Sequence, residues 1–567
     1  MISDLPYILS YREQQQLFLF DWDYISDTLF QTGGASTLTG RFLVQFFYSP
    51  AAAVVLTILC LAGIAWLHRR QLPLIVAPLL FLLASLADYH LHFDVVAACL
   101  FASGGLAIWE RSRHRIIAGV IIPIVLFLLA GSGAFLFSVS ALALSLGRGR
   151  WEGTVPVAVS LLTGAVALSL NVIPTFGHAI SPVFFYDVSS TMPGFHLLFW
   201  VLIPVAVLLS TLSVSFLEKR TALVASGLLV LVAVPFAWSV FAKQGKGGAF
   251  NIYKYEFYGV RGDWDKLEKV TKDRLIYPVT ANWHYLAKSY KGTLLKDLMK
   301  NRHNREYDLI FIPEDKNTYS VLPHVLFRMG NMAAAQNVSY NLLFASCGCN
   351  PSMLKMQTDI ELMRGNYKVA EKYISMLERS LNYKKWAKER SGFLNDDSAV
   401  EADAELSRGR MDFPEVQGFT TPLYPMHAIY AILRTNPSDN VAMEYGLAYL
   451  LLAKDIVNVA GFVDEFYGTP GLQSLPVCAQ EAICFFADYQ QHLAHEPAYS
   501  HMDMDWCLTH GVEAQTISRM RAFQDASLRS GGKAPQGFRG TYWYFFLYDD
   551  VMANDNVAMT EDKNAVY

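Results

Sequence analysis

Asp21-Trp22-Asp23 sets two carboxylates two positions apart in the aromatic, amphipathic segment from Tyr11 to Tyr24. A carboxylate in such a place can accept the proton of an incoming nucleophile or hold a divalent metal. D-x-D is a three-residue pattern, and a solvated helix face accounts for it equally well. A second cluster runs Asp88-Tyr89-His90-Leu91-His92-Phe93-Asp94. On a helix, Asp88/His92 and His90/Asp94 would form i,i+4 pairs with the spacing of divalent-cation ligands. The two pairs would face different ways, so a polar hairpin tip is the plainer expectation. His178 and Asp187 lie in the loop Pro174 to Phe195 and would complete a site with Asp21 or His90 if the chain brings them to one side.

Elsewhere the chemistry is thin. His492, His495, Glu496, His501, Asp503 and Asp505 cluster without H-E-x-x-H order, and Pro497 interrupts any helix through them. They read as a solvated loop. Cys347-Gly-Cys349 has no second pair at zinc spacing. Cys478 and Cys484 are close enough in sequence to pair, though spacing alone does not establish a disulfide. The chain has no G-x-S-x-G and no G-x-x-x-x-G-K-[ST], which disfavours a soluble-type hydrolase or a P-loop NTPase.

The elements that would position these residues follow from composition. Of 567 residues, 53% are hydrophobic and 17% charged, with mean hydropathy +0.25. Residues 1–242 hold 22 charged side chains and the remaining 325 hold 74. The first part reads as membrane-like and the second as soluble. A net charge of −4 without a long Lys/Arg run argues against nucleic acid as a partner.

Apolar runs suggest spans near 44–67, 72–88, 93–109, 116–131, 133–147, 155–173, 196–216 and 221–241. The pair 116–147 is short and meets at Gly131-Ser132-Gly133, which also admits one long helix with a re-entrant piece. Connecting loops alternate in charge. Arg69-Arg70, Arg111/Arg113/Arg115, Arg148/Arg150 and Lys219-Arg220 carry nine basic residues, whereas Tyr89–His92, Gly131–Gly133 and Pro174–Phe195 carry none. The positive-inside rule puts the first set in the cytoplasm, and the alternation needs all eight spans. Residues 1–43 and 243–567 then lie outside. Met1 is not followed by a signal peptide, so either a short acidic tail is translocated unaided or the gene product begins upstream with a further span, the second being the favoured expectation. The segment Tyr11–Tyr24 is expected to lie in the interface plane. No charge sits deep in a span, which argues against an ion pump.

The second part reads as helical. The turn-like dipeptides Gly262-Asp263, Lys296-Asp297, Gly330-Asn331 and Gly365-Asn366 recur at spacings of 34, 34 and 35 residues, with Lys454-Asp455 a later, out-of-phase copy. A 34-residue helix-turn-helix period is that of tetratricopeptide (TPR) repeats. Arg364 to Tyr373 is the clearest copy: Ala370 lets paired helices approach and Tyr367 fills the gap between them. Leu309–Pro313 looks strand-like. The aromatic Thr541–Leu547 is expected either to cap the array or to dip into the membrane surface.

The Arg12-Glu13-Gln14 segment with Leu17-Phe18, the Gly33-Gly34 break, the Gln45–Tyr48 lead-in and the TPR-like tail together resemble a multi-pass inner-membrane family of Bacteroidota, a domain of unknown function. That resemblance implies a Gram-negative inner-membrane address, a periplasmic C-terminal region and an extra apolar helix before this start, and it transfers no catalytic residue. The many-span build with an acidic first outer loop is also distantly similar to GT-C-type glycosyltransferases. That similarity would make Asp21 and Asp23 catalytic toward a polyprenyl-phosphate-linked sugar, with a divalent metal as the cofactor. The expected fold is all-α: an outer-face juxtamembrane segment 1–43, a bundle of about eight spans over 44–242, and a TPR-like helical domain over 243–567. The leading expectation is a bilayer-embedded anchor whose repeats bind a periplasmic protein. The alternative is the glycosyltransferase, with Asp88, His90, His92, His178 and Asp187 as further outer-face candidates, and a small-molecule transporter ranks third.

Overall fold

The computed structural model describes residues 5–549 except 73, 89, 187–190, 217–226, 228–230, 232, 233, 236, 237, 240–248, 273–277, 301–304, 306, 307, 311–320, 347–349, 413–423, 491–496 and 532. The described residues are helical and contain no strand; one isolated bridge joins Leu91 and Tyr186. The chain divides into two compact units. The first holds residues 1–250 with 349–351 and 375–387, and the second holds the remainder.

The first unit contains α1 (Leu5–Gln15), α2 (Trp22–Leu29), α3 (Gly34–Val44), α4 (Pro50–Leu67), α5 (Val76–Ser85), α6 (Asp94–Arg111), α7 (Arg115–Ala130), α8 (Gly133–Leu146), α9 (Thr154–Ser169), α10 (Gly177–Ile180) and α11 (Leu197–Phe216). Helix α6 is the hub, packing on α3, α4, α7 and α8. Its first turns, Val95 to Cys99, are buried on every side, as befits a helix with no polar stripe. Small residues let its neighbours close in, and hydroxyls join helices where no water competes: Ser138 with Ser160 at 2.6 Å and His68 with Ser103 at 3.0 Å.

Helices α4 and Gly194–Leu212 are long and apolar enough to cross a membrane; α5, α7, α8 and α9 are apolar but shorter. The apolar run 72–88 yields a helix of ten residues, because the chain turns through Leu86–His92 before Asp94. Most of 221–241 lies outside the described residues. Residues 116–147 fold as two separate helices around Gly131.

That turn explains the Gly33-Gly34 break as well. Gly33 N–H donates to the Leu128 carbonyl at 2.9 Å, and both Gly33 and Gly131 have positive φ. A Cβ on either would meet the Phe184 ring, at 2.7 Å and 2.6 Å respectively. One aromatic ring therefore requires glycine in two separate loops. Helix α1 also differs from expectation. Ile8 to Gln14 are buried, as are Gln16, Leu17 and Phe18, so this segment is packed inside the unit and does not lie in an interface plane. The polar half of it has partners there, described below.

The second unit is built of helix pairs with one recurrent joint. At Gly262, Gly292, Gly330, Gly365 and Lys454 the residue takes positive φ, its N–H bonds three residues back, and the next N–H bonds five residues back. This is the Schellman ending, which ties off orphan carbonyls of the first helix. The following Asx then starts the second helix: Asn331 and Asp455 each accept the N–H three residues on. Lys296-Asp297 departs from the expected series, because both residues lie inside Leu294–Asp297 and the turn is at Gly292. At the apolar positions after each joint, Leu267, Met332, Ala335 and Ala370 are buried as the pattern requires. Tyr367 is half-buried, and its hydroxyl bonds Asp397 at 2.5 Å and accepts from Arg410 at 3.1 Å. Leu309 and Ile310 form a turn, and residues 311–313 lie outside the described residues. Tyr542–Tyr548 is a helix packed on Val477–Tyr489, with Trp543 donating to the Glu481 carbonyl at 2.8 Å.

The two-loop glycine requirement is testable. Gly131 has φ 53° and ψ −126°, which an L side chain does not tolerate, and a Cβ there also strikes Phe184. Gly131→Ala should cost about 2 kcal/mol or more. Gly149→Ala, at φ 67° in open space, should cost about 1 kcal/mol. Thermal unfolding of the purified variants checks this, and equal losses would refute the role of the ring.

Candidate functional site

Of the polar residues singled out in the first unit, Asp88 is the one with a built set of partners. This carboxylate is 8% exposed and is satisfied from three directions. His196 Nε2 lies 2.8 Å and the Tyr186 hydroxyl 2.9 Å from Oδ2, and the His90 N–H donates to Oδ1 at 3.0 Å. The guanidinium of Arg12 donates to the carbonyls of Leu86 and Asp88 at 2.7 Å and 2.6 Å. Three elements are thereby fastened to one hairpin tip: α1 through Arg12, the loop before α11 through His196, and the turn Pro182–Phe185 through its neighbour Tyr186. His92 N–H continues the link by donating to the Phe185 carbonyl at 2.9 Å. Asp94 opens α6, fully buried, with Gln16 Nε2 at 3.2 Å and Gly40 of α3 pressed against it.

Glu13, next to Arg12, is 3% exposed. It accepts from the Tyr383 hydroxyl at 2.6 Å and from Asn382 at 3.1 Å. Asn382 also donates to the Gln45 carbonyl at 2.8 Å, and Phe20 N–H donates to the Arg379 carbonyl at 2.7 Å. Residues 375–387 thus belong to the same polar network as α1.

The sequence candidates divide accordingly. Asp21 is ion-paired with Arg379 at 2.9 Å. Asp23 sits in the first turn of α2 and is exposed, so the two carboxylates of D-x-D have separate surroundings. The i,i+4 pairs do not form, because Asp88 and the described residues 90–93 are not helical and helix begins only at Asp94. Asp88 finds its histidine 108 residues away. His90 stacks obliquely near Tyr186, with ring centres 5.6 Å apart. His178 bonds Thr175 at 2.8 Å, and burial pulls its imidazole below the ordinary range. Asp187 lies outside the described residues, as do His492, His495, Glu496, Cys347 and Cys349. Asp503 caps the helix Met504–Thr509, while Asp505 and His501 are exposed. Cys478 and Cys484 are free thiols. Among the described residues no group of three or more His, Cys, Asp or Glu is placed to hold a metal. Arg12, Tyr186 and His196 were not among the sequence candidates; the signal for Arg12 was a lone cation in an apolar segment.

The second unit has a different feature, a cavity of about 490 Å³ with Asp439 on its wall. Asp439 Oδ1 caps the helix Asn440–Leu452, accepting from Val441 and Ala442 N–H at 2.7 Å and 2.9 Å. Its other oxygen faces Asp412, which accepts from Asn436 at 2.8 Å. Burial first, and the adjacent Asp439 second, push the Asp412 carboxyl up to about 8.

Two outcomes follow. His196 is fully buried, so His196→Ala removes an Asp88 partner and leaves a hole, which should cost roughly 2–4 kcal/mol. Tyr186→Phe should cost about 1 kcal/mol. Thermal unfolding of the pair decides it, and a smaller loss for His196→Ala than for Tyr186→Phe would remove the latch. For Asp412 the folded value lies above the unfolded one, about 3.9. Its contribution is therefore present at low pH and lost as pH rises from about 4 through 8. Asp359 and Glu481, both pushed up to about 7 by burial, act in the same direction. Asp412→Asn keeps a donor for Asp439 and should stabilise the protein at pH 8 by at least about 1 kcal/mol while doing little at pH 4.5. Denaturant unfolding at the two pH values measures the difference.

No curated protein and no solved structure matches the chain. One family model matches residues 2–549, which is nearly the whole of it and includes every residue of the Asp88 network. On that match, the chain belongs to a family of unknown function, DUF6057.

Proposed function

We propose that this protein is a multi-pass inner-membrane anchor whose second unit is a TPR-like helical array offered to a protein partner in the periplasm. The observation that carries the membrane part is the outer surface of the first unit. The α4 window has hydropathy 2.2 and is only 11% buried inside the protein. Val55, Ile58 and Leu59 on α4, Ile117 and Ile121 on α7, and Leu162 and Val166 on α9 are exposed. An apolar exterior of this extent is unfavourable in water and natural in lipid. The shorter helices fit a locally thinned bilayer.

The loop arrangement supports the sidedness. Glu110 bridges Arg70 at 2.7 Å and Arg148 at 2.6 Å, and Arg115 pairs with Glu152 at 3.2 Å. Three of the basic loops therefore meet at one end, the cytoplasmic one by the positive-inside rule. Gly33, Gly131, His92 and Phe184–Phe185 meet at another. Residues 375–387, which contact Glu13 and Asp21 in the first unit, support putting the later part of the chain on the same side as the N-terminal segment. The polyprenyl-sugar transferase reading has weaker support: it needs the acidic pair free, and Asp21 is engaged by Arg379.

Two measurements test the proposal. A phosphatase reporter that works only in the periplasm should be active when fused after Tyr567 and inactive when fused at Gly149; the reverse pattern refutes the topology. In cells lacking the protein, Asp23→Asn should restore the phenotype, and Tyr367→Ala with Arg410→Ala should not, at equal abundance. Loss with Asp23→Asn alone would favour the transferase.

A further inference from the structure

The cavity of the second unit lies among helices Pro278–Tyr290, Val321–Arg328, Ala404–Met411 and Asn440–Leu452. Its volume, about 490 Å³, is in the range of small-molecule sites. Its wall carries polar side chains among apolar ones, with Ser289, Asn436 and Ser438 beside two arginines, Arg328 and Arg408.

Arg328 is held in an unusual way. Its guanidinium lies 3.8 Å over the ring of Tyr290, and Trp264 stacks on the same ring at 3.8 Å with planes 12° apart. Two groups at that distance cannot share one face, so Tyr290 is clasped between them. Stacking fixes the guanidinium plane without using its N–H groups. Arg328 Nε is buried and has no hydrogen-bond partner, and among the described residues no carboxylate is within ion-pair distance of the side chain. Arg408 lies alongside, donating to the Arg328 carbonyl at 3.3 Å. Its nearest carboxylate oxygen is Asp412 Oδ2 at 4.0 Å, on the acid that burial pushes up to about 8.

The other charges on the wall are accounted for. Lys291 is neutralised by Asp265 and Glu268 at 2.7 Å and 2.8 Å. Asp439 is engaged through Oδ1 in its helix cap. Glu444 remains, pushed up to about 7 by burial, and it feels Arg328 without pairing to it. Two cations thus line the cavity, and Glu444 and the capping carboxylate of Asp439 are the wall acids that feel Arg328. Such forks match the oxygens of carboxylate and phosphate groups.

We propose that this cavity binds an oxyanion-bearing small molecule, its carboxylate or phosphate oxygens held by Arg328 and Arg408. Glu444 then acts as a competitor for the same guanidinium, so its removal improves binding. The inference is independent of the anchor function.

Titration calorimetry on the purified full-length protein, at pH 7 and constant ionic strength, tests it with inorganic phosphate and with succinate. Saturable binding of phosphate alone would point to a phosphorylated ligand, and of succinate alone to a carboxylic acid. Arg328→Gln should weaken binding at least about tenfold, and Glu444→Gln should tighten it severalfold. The proposal falls if neither probe binds saturably, if Arg328→Gln binds as the parent does, or if Glu444→Gln binds more weakly. Glu444→Gln keeps the test decisive if Arg328→Gln fails to fold.

Discussion

A carboxylate removed from water must be met by donors, and the first unit is arranged around that requirement at Asp88. Desolvating an unpaired carboxylate costs several kcal/mol. Here the cost is offset by His196, Tyr186 and the His90 N–H, each from a different stretch of chain. Because Arg12 grips the carbonyls beside it, the same point also fixes α1. An apolar bundle packed by small residues has many near-equivalent ways to slide. A buried polar junction has one arrangement that satisfies every member, and it selects the register in which Gly40 meets Asp94 and Phe184 covers Gly33 and Gly131.

The second unit reaches uniqueness by repetition of a local device. Each Schellman turn reverses the chain at a set angle, and the Asx after it starts the next helix. The geometry of each joint is encoded within about six residues, while longer-range polar contacts such as Arg408 to the Arg328 carbonyl and Trp543 to the Glu481 carbonyl join separate helices. Departures from the pattern coincide with features of their own. The displaced turn at Gly292 borders the cavity, and Tyr367 adds hydroxyl bonds to Asp397 and Arg410.

What could be read in the sequence follows the range of the interactions. The α7/α8 hairpin was legible from Gly131-Ser132-Gly133, and the helix joints from Gly-Asx dipeptides, because both are local. All-helical composition was legible from apolar periodicity. The pairing of Asp88 with His196 was not, since helical spacing pointed to His92 and nothing local signals a partner 108 residues away. The interior position of α1 was hidden for a related reason. The amphipathic pattern of Tyr11–Tyr24 pointed to an interface plane, and only tertiary partners make Arg12, Glu13 and Gln16 an inside surface. The Lys296-Asp297 copy failed because its spacing matched while its backbone did not: Gly292 supplied the left-handed residue four positions earlier.

The first unit is discontinuous in sequence, with 375–387 lodged against Glu13, Phe20 and Gln45. No single cut in the chain separates the units cleanly. A fragment ending near 250 would leave Glu13 buried without Tyr383 and Asn382, and a fragment starting there would carry a loop whose partners are gone. Domain shuffling by one recombination event is therefore disfavoured, and inheritance of the chain as a whole is the arrangement such interleaving selects.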